Sequence, residues 1–139
     1  MINLQDELII HTKGQGMYEI TNEINNWIKK NTINKGQLNL FIQHTSASLT
    51  IMENTSSDVL EDINSFLKKI APEDSSLYRH SYEGDDDMPA HIKSMLTQTS
   101  LTIPMQNKNL LLGTRQGIYL IEHRYINFKR NLILSFVGN

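Results

Sequence analysis

The last third of the chain decides the fold class, and over residues 100–137 it reads SLTIPMQNKNLLLGTRQGIYLIEHRYINFKRNLILSFV. Short apolar runs separated by turn residues predict four strands here: Ser100–Met105, Leu110–Leu112, Gly117–Glu122 and Asn131–Val137. Asn107-Lys108 is the predicted turn between the first two strands, because Asn tolerates the left-handed backbone region. No helical pattern interrupts these segments, so they favour an antiparallel sheet.

Three more strands are predicted upstream of this stretch. Leu4–His11 contains an apolar run, and Ser48–Met52 is a short strand. Gln37–Gln43 alternates clearly, with Leu38, Leu40 and Ile42 on one face and Phe41 on the other. This period of two is typical of a half-buried strand.

Three segments predict helices. Apolar residues at helical spacing indicate the first over residues 17–30 and the second behind a sequence resembling a capping box at residues 55–58. The apolar stripe of the second helix consists of Val59, Ile63, Phe66, Leu67 and Ile70, and Pro72 ends it. Pro89 opens a third, short helix ending near Met95, after a polar loop over residues 73–88. About seven strands and three helices without regular alternation predict an α+β fold, as one compact domain over residues 1–139.

Composition excludes several classes of protein. With 139 residues, 39% hydrophobic content and 20% charged content, the chain reads as globular. A net charge of −2 argues against a nucleic-acid binder, which would show a basic face. There is no cysteine, so disulfides and thiolate-bound zinc are excluded. No apolar run is long enough to cross a membrane and no basic leader is present, so we expect a cytoplasmic protein.

The main candidate for a functional site is the segment Tyr82–His91, where three carboxylates precede a helix that contains a histidine. Asp86 and Asp87 fit either a solvated acidic loop or a site in which Mg²⁺ bridges to a phosphorylated substrate. His91 lies one turn inside the helix, within reach of these carboxylates. His44, which follows an apolar strand, is the second candidate, because imidazoles are common ligands and acid–base groups.

Other residue patterns add candidate roles. His44, His80 and His91 together predict a three-histidine metal site of the open catalytic type. Ser46 and Ser48 would be nucleophiles only beside a base, and the absence of a Gly-x-Ser-x-Gly elbow disfavours a serine hydrolase.

A further pattern is the segment Gly113–Gly117, which fits either a glycine-bounded hairpin or a phosphate contact made by the Arg115 fork. It is not a P-loop, because no Lys-Ser/Thr follows it. Glu122 and His123 end the following strand, so one of the two faces inward, and an inward glutamate needs a partner.

Taken together, these motifs resemble the YjbQ family over essentially the whole chain. The resemblance rests on these stretches: His44-Thr45-Ser46-Ala47-Ser48-Leu49-Thr50, Glu53-Asn54, Tyr82-Glu83-Gly84, Asp86-Asp87-Met88-Pro89, His91-Ile92-Lys93-Ser94, Ser100–Pro104, Gly113–Ile118 and Glu122-His123-Arg124. Two positions depart from the family pattern. Arg115 replaces a usual Trp, and Lys108 stands where the hairpin turn usually has Gly.

The resemblance implies an α+β domain with a β-sandwich core that assembles as a homotrimer, and an activity like that of secondary thiamine-phosphate synthases. The implied polar site comprises His44, Asp86, Asp87, His91, Gln116 and Glu122. We assign catalytic roles to His44, Asp86, Asp87, His91 and Glu122, and substrate contacts to Ser46, Asn54, Thr114, Arg115 and Gln116.

Three readings of the function remain open at this level. The first is an enzyme that uses a divalent metal, Mg²⁺ or Zn²⁺, to join a pyrimidine pyrophosphate to a thiazole phosphate. The second is a module that binds a metal or a small phosphorylated molecule without turnover. The third is an assembly protein whose polar cluster holds the trimer together.

Overall fold

The computed structural model describes residues 1–139, and it contains eight strands, three α-helices and one short 3-10 turn. The strands are β1 (Ile2–Lys13), β2 (Gly16–Glu19), β3 (Gly36–Ile42), β4 (Ala47–Glu53), β5 (Ser100–Gln106), β6 (Asn109–Leu110), β7 (Gln116–Glu122) and β8 (Asn127–Gly138). The helices are α1 (Thr21–Lys30), α2 (Ser57–Ile70) and α3 (Asp87–Leu96), and the 3-10 turn is Ser75–Leu77.

The strands form two sheets in which every pairing is antiparallel. The larger sheet has the order β1-β8-β3-β5-β6, and the smaller has the order β2-β7-β4. An isolated bridge between Leu49 and Gln98 adds a contact beside β4. The predicted α+β class with antiparallel sheets is confirmed.

A single apolar core joins both sheets and α1. The larger sheet contributes alternate residues of β3, β5 and β8, and the smaller one contributes Leu49, Ile118 and Leu120. α1 adds Ile24 and Trp27. Because side chains alternate along a strand, this arrangement places Glu122 on the core-facing side of β7, in line with Ile118 and Leu120.

α3 packs against the outer face of the smaller sheet. The Ser94 hydroxyl donates to the Ala47 carbonyl over 3.4 Å, and the Thr97 and Ser48 hydroxyls lie 2.6 Å apart. These contacts hold the last turn of α3 against the start of β4, next to the loop between β3 and β4 that carries His44 and Thr45.

Three predicted elements have wrong boundaries, and one of them is the strand predicted at Leu110–Leu112, which in the structure is β6 and ends at Leu110. Residues 17–19 belong to β2 rather than to the first helix, which begins at Thr21. β2 pairs with β7 from Gly16↔Glu122 to Glu19↔Tyr119, and this pairing overrides the local helical pattern. The third helix begins at Asp87 rather than at Pro89, so Pro89 occupies the first turn, where its missing N–H costs nothing.

The second helix departs from the prediction in its packing. Of the predicted apolar stripe only Leu67 is buried, whereas Phe66 is 61% and Ile70 43% exposed. The capping box is also absent, because the side chain of Ser56 makes no capping hydrogen bond. α2 therefore keeps a partly uncovered apolar face.

The predicted turn at Asn107-Lys108 is confirmed, since both residues have positive φ angles, of 54° and 63°. Two consecutive left-handed residues are typical of a tight two-residue hairpin. None of the helices is both long enough and apolar enough to span a bilayer.

Candidate metal site and adjoining cleft

The candidate site begins with Asp87 and His91, which lie four residues apart on the same face of α3. His91 Nδ1 lies 2.9 Å from the Thr45 carbonyl oxygen, and its Nε2 lies 3.2 Å from Asp87 Oδ2. Helix geometry places both side chains at the first turn, and the Thr45 carbonyl fixes the orientation of the imidazole ring.

His80 completes a group of three side chains around one carboxylate oxygen. Its Nε2 lies 2.6 Å from Asp87 Oδ2 and 3.2 Å from Glu83 Oε2. The ligand atoms of His80, Asp87 and His91 all lie within 4.8 Å of one another. Two imidazoles and a carboxylate are a common protein ligand set for zinc and other transition metals.

The hydrogen bond between His91 and Thr45 has a chemical consequence. A carbonyl oxygen only accepts, so His91 Nδ1 must carry a proton. In a neutral ring Nε2 then has a lone pair, which faces an Asp87 carboxylate oxygen at 3.2 Å. Two acceptors this close need a positive species between them, which is either a second imidazole proton or a metal ion.

Arg124 fixes the orientation of the acidic side of this group. Its guanidinium donates to Asp86 Oδ2 at 3.0 Å, to Asp87 Oδ1 at 2.7 Å and to the Glu83 carbonyl at 2.9 Å. The Tyr125 backbone N–H donates to the same Asp86 oxygen over 2.9 Å. Arg124 therefore holds Asp87 Oδ1 and leaves Asp87 Oδ2 for the two imidazoles.

These contacts keep both aspartates ionised. Burial alone would raise the pKa of Asp87, but the hydrogen bond from His80 and the charges of His91 and Arg124 outweigh it and lower the pKa. Burial likewise opposes the shift at Asp86, whose pKa is lowered by the Tyr125 N–H and by Arg124. An ionised Asp87 is the form that a metal ligand requires.

The charge of the group matches a divalent cation. When both imidazoles are neutral, as metal ligation requires, the three carboxylates of Glu83, Asp86 and Asp87 and the guanidinium of Arg124 give the group a formal charge of −2. Bonds of about 2.0–2.1 Å in a tetrahedral zinc site place the ligand atoms roughly 3.3 Å apart. The separation of 3.2 Å between His91 Nε2 and Asp87 Oδ2 fits this, and the separation of 2.6 Å between His80 Nε2 and Asp87 Oδ2 would have to widen.

His44 lies outside this group, although the sequence predicts it as a metal ligand. Its Nε2 accepts the Asn131 backbone N–H over 2.8 Å. His44 and His91 instead line one cleft of about 210 Å³, together with Thr45, Ser94, Met95 and Thr99. Burial, aided by Arg130 and opposed by Glu122, lowers the pKa of His44.

Glu122 and Ser46 are part of a buried ion-pair network. Glu122 is fully buried and pairs with Arg130, whose Nε lies 2.8 Å from Glu122 Oε1. The Thr12 hydroxyl and the Arg124 backbone N–H also donate to Glu122. Arg130 further donates to the Ser46 hydroxyl over 3.0 Å. The inward glutamate thus has the partner that the sequence analysis required, and its acceptor capacity is occupied.

Ser48 and His123 form a second buried pair, with Ser48 Oγ 2.9 Å from His123 Nε2. Burial, together with the nearby charges of Lys93 and Arg130, lowers the pKa of His123 to about 3. Ser48 is fully buried, so its hydroxyl cannot meet a substrate. This geometry agrees with the sequence argument against a serine hydrolase.

The remaining predicted residues lie at the other end of β7. Asn54 lies beside Gln116, because the backbone N–H of Asn54 donates to the Arg115 carbonyl over 3.0 Å. Gln116 Oε1 accepts the Gly113 N–H over 2.7 Å and closes a turn that contains Thr114. This turn joins β6 of the larger sheet to β7 of the smaller one, so the Gly113–Gly117 segment is not the hairpin that the sequence suggested. Gln116 and Glu122 end a seven-residue strand, so the two ends lie about 20 Å apart.

Arg115 makes little contact with the rest of the chain. Its side chain is 75% exposed, and its nearest carboxylate, that of Glu53, lies 4.0 Å away. Within one chain the structure therefore brings His80, Asp86, Asp87 and His91 together, places His44 in the adjoining cleft, and leaves Arg115 at the opposite end of the sheet.

Sequence reasoning missed the role of Arg124. It appeared only as part of the Glu122-His123-Arg124 motif, and no pattern in the sequence joins it to carboxylates 37 and 38 residues away. An arginine close to the end of a buried strand, combined with an acidic helix start, was the only signal available.

Comparisons with known proteins agree on one family. The family model described as "UPF0047 protein YjbQ-like" matches residues 6–139. A UPF0047 protein of Synechocystis sp. is 44% identical over 134 residues, covering 96% of this chain and 91% of its own length. The UPF0047 protein YjbQ of Escherichia coli is 42% identical over 135 residues, covering 96% and 97%.

Solved structures extend the likeness to three dimensions. A YjbQ/UPF0047 family protein of Clostridium acetobutylicum has a TM-score of 0.80 at 32% identity, with 96% of this chain and 99% of that chain covered. A conserved hypothetical protein of Thermus thermophilus has a TM-score of 0.84 at 27% identity, with 95% and 99% covered. The family name does not specify a reaction, so the residues of the site are the basis for inferring the chemistry.

Proposed function

The chain belongs to the YjbQ-like UPF0047 family, and we propose that it is a divalent-metal-dependent enzyme whose ion is held by His80, Asp87 and His91. One observation carries this proposal. The Thr45 carbonyl requires the proton on His91 Nδ1, so Nε2 faces the Asp87 carboxylate with a lone pair unless a second proton or a metal ion lies there. The formal charge of −2 around Asp87 supports an ion of charge +2.

The ligand types favour zinc or a similar transition metal over magnesium, because imidazole suits Zn²⁺ whereas Mg²⁺ prefers oxygen ligands and retains water. Such an ion would supply Lewis-acid polarisation of a substrate oxygen. The chain's own contribution is to fix the ligands: Thr45 orients His91, and Arg124 orients Asp87. Partners of this kind raise metal affinity by holding each ligand in its binding orientation.

For the reaction, we propose the activity that the family resemblance implies, thiamine-phosphate synthesis. The thiazole nitrogen would form a C–N bond to the pyrimidine methylene carbon while the C–O bond to pyrophosphate breaks. Pyrophosphate leaves with the electron pair, so the leaving group needs its charge neutralised. A divalent ion held by His80, Asp87 and His91, beside a cleft of about 210 Å³, would meet that requirement.

Metal analysis tests the first part of the proposal. We expect purified protein to hold one ion per chain and chelator-treated protein to rebind Zn²⁺ more tightly than Mg²⁺. His91→Gln should abolish tight binding. His11→Gln is the matched control, because His11 is an exposed histidine on β1. Failure of wild type to bind either metal would refute the proposal.

An activity assay tests the second part. Wild type is incubated with the pyrimidine pyrophosphate and the thiazole phosphate, with and without chelator, and thiamine phosphate is measured. Product that disappears with chelator and returns with metal is the expected result. Tight metal binding without product would favour a binding module that has no turnover.

We also propose that the chain assembles as a homotrimer, as the resemblance implies. The uncovered apolar face of α2 supports an assembly contact, since Phe66 and Ile70 are exposed there. Large exposed apolar patches commonly mark protein interfaces. Light scattering at micromolar concentration should return three times the mass of 16.0 kDa, and a monomer mass would refute the assembly.

A further inference from the structure

The backbone holds the two histidines of the cleft in the same tautomer, with the proton on Nδ1. His91 Nδ1 donates to a carbonyl, so its Nε2 carries the lone pair in the neutral ring. His44 Nε2 accepts the Asn131 N–H over 2.8 Å, so Nε2 carries no proton. In the neutral ring the proton of His44 must then lie on Nδ1.

We propose that His44 is a hydrogen-bond donor to a phosphoryl group bound in the cleft, and not a metal ligand. The lone pair of His44 Nε2 is already used by Asn131, and the remaining ring nitrogen presents an N–H, which a metal cannot bind. The inference rests on the proposed function for the ligand's position beside the metal site, whereas the tautomer of His44 is independent of it.

The lining of the cleft favours a phosphoryl oxygen over other ligand groups. Beside the two histidines, the cleft is lined by three residues that carry hydroxyls, Thr45, Ser94 and Thr99, and by the apolar Met95. No carboxylate lines it, and a divalent ion at the adjoining site would balance the charge of −2 there, so a bound anion would not be repelled. Hydroxyls and a neutral imidazole N–H are donors that suit phosphate oxygens without a fixed cation.

Size and protonation agree with this assignment. A volume of about 210 Å³ corresponds to roughly seven water molecules at about 30 Å³ each, which accommodates a small ligand. Burial lowers the pKa of His44, so the ring stays neutral and keeps a single N–H at neutral pH.

The tautomer can be measured directly. In protein labelled with ¹⁵N-histidine, His44 should show a protonated Nδ1 and an unprotonated Nε2 at pH 7.5, whether or not metal is present. The His44→Ala variant assigns the signals. A protonated Nε2 would overturn the inference.

Ligand binding tests the role of the N–H. Zn²⁺-loaded wild type is titrated with inorganic phosphate, and His44→Ala should weaken phosphate binding by about tenfold to a hundredfold, the range for a hydrogen bond to a charged group. His44→Gln should recover part of the affinity, because its amide also donates. Zn²⁺ affinity should be equal in all three proteins.

The possible failures are distinguishable. Loss of Zn²⁺ binding in His44→Ala would show that His44 is a metal ligand after all. Equal phosphate affinity in wild type and His44→Ala, or no phosphate binding to Zn²⁺-loaded wild type, would refute the donor role. If wild type binds no metal, the proposed function fails, while the tautomer measurement still decides the state of His44.

Discussion

The two ends of β7 contain the same residue types and use them differently. At one end, Glu122 is fully buried and Arg124 is held by three acceptors. At the other end, Arg115 is 75% exposed, and the side chain of Glu53 is 29% exposed. The first end is fixed by many buried partners and can hold a ligand set in place, whereas the second has one long ion pair in water. Matched substitutions at the two ends can therefore test which of these contacts matter.

The largest effect is expected at Glu122, the buried end of the comparison. Glu122→Gln leaves the Arg130 guanidinium buried without a charged partner, and breaking such a pair typically costs about 3–5 kcal/mol of the free energy of unfolding. Glu53→Gln, at the far end, should cost about 1 kcal/mol or less, because exposed pairs contribute little. Urea denaturation measures both. Equal losses would show that the buried network adds no stability.

The next largest effect concerns the metal ligands. Asp87→Asn removes the carboxylate shared by His80 and His91, and we expect metal affinity to fall by at least about a hundredfold. Asp85→Asn is the control, because Asp85 is an exposed aspartate in the same acidic run. Isothermal titration with Zn²⁺ measures both variants. A loss in both would point to the general charge of the loop rather than to Asp87.

Arg124 and Arg115 provide a comparison of one residue type in two environments. Arg124→Gln removes the charge that orients Asp87 from outside the ligand set, and losses of about tenfold to a hundredfold in metal affinity are typical for such partners. Arg115→Gln should leave metal affinity unchanged. Equal Zn²⁺ affinity in wild type and Arg124→Gln would exclude the positioning role.

Arg124→Gln should also change the pH at which acid unfolds the protein. Asp86 and Asp87 have lowered pKa values in the folded chain, so their stabilisation is present above the unfolded pKa of about 3.9 and is lost as the pH falls through the folded values. Without Arg124 both pKa values rise, and acid unfolding should begin at a higher pH. Circular dichroism during an acid titration measures this shift, and Arg115→Gln should superimpose on wild type.

Much of the fold follows from local patterns in the sequence. Strand alternation in Gln37–Gln43 and the left-handed pair Asn107-Lys108 act locally, so both were predictable. β2 was missed because residues 17–19 continue a helical spacing, and only their pairing with β7 makes them a strand. The face of α2 was misjudged because amphipathic spacing does not say what, if anything, covers it.

Part of the site was also predictable, because some of its contacts follow from local spacing in the sequence. Asp87 and His91 are four residues apart on one helix, so sequence spacing alone brings them together. Three other placements depend on the tertiary fold. Glu122 meets Arg130, Arg124 meets Asp86, and the Gly113–Gly117 turn lies at the opposite end of β7. The motif residues alone do not indicate how far apart they lie in the folded chain.

The smallest effect is expected at Arg115, and it tests whether the distance between the two ends of β7 keeps Arg115 away from the cleft. Sequence analysis suggested that Arg115 grips a phosphate, which would cost about 1.5–3 kcal/mol of binding free energy when removed. Its position about 20 Å from the Glu122 end of β7 instead leads us to expect unchanged phosphate affinity of Zn²⁺-loaded Arg115→Ala. The change in the free energy of unfolding should stay within about 0.5 kcal/mol, because the side chain is exposed.

Arg115→Lys is the control for this variant, because it keeps the charge and loses the fork. A loss of tenfold or more in Arg115→Ala, with partial recovery in Arg115→Lys, would mean that a second copy of the chain brings its Gly113–Gly117 turn to the cleft. The separation of the two ends within one chain would then be bridged by assembly. Measuring the affinity across a dilution series that dissociates the oligomer would show this directly, because only the assembled protein would respond to the Arg115 substitution.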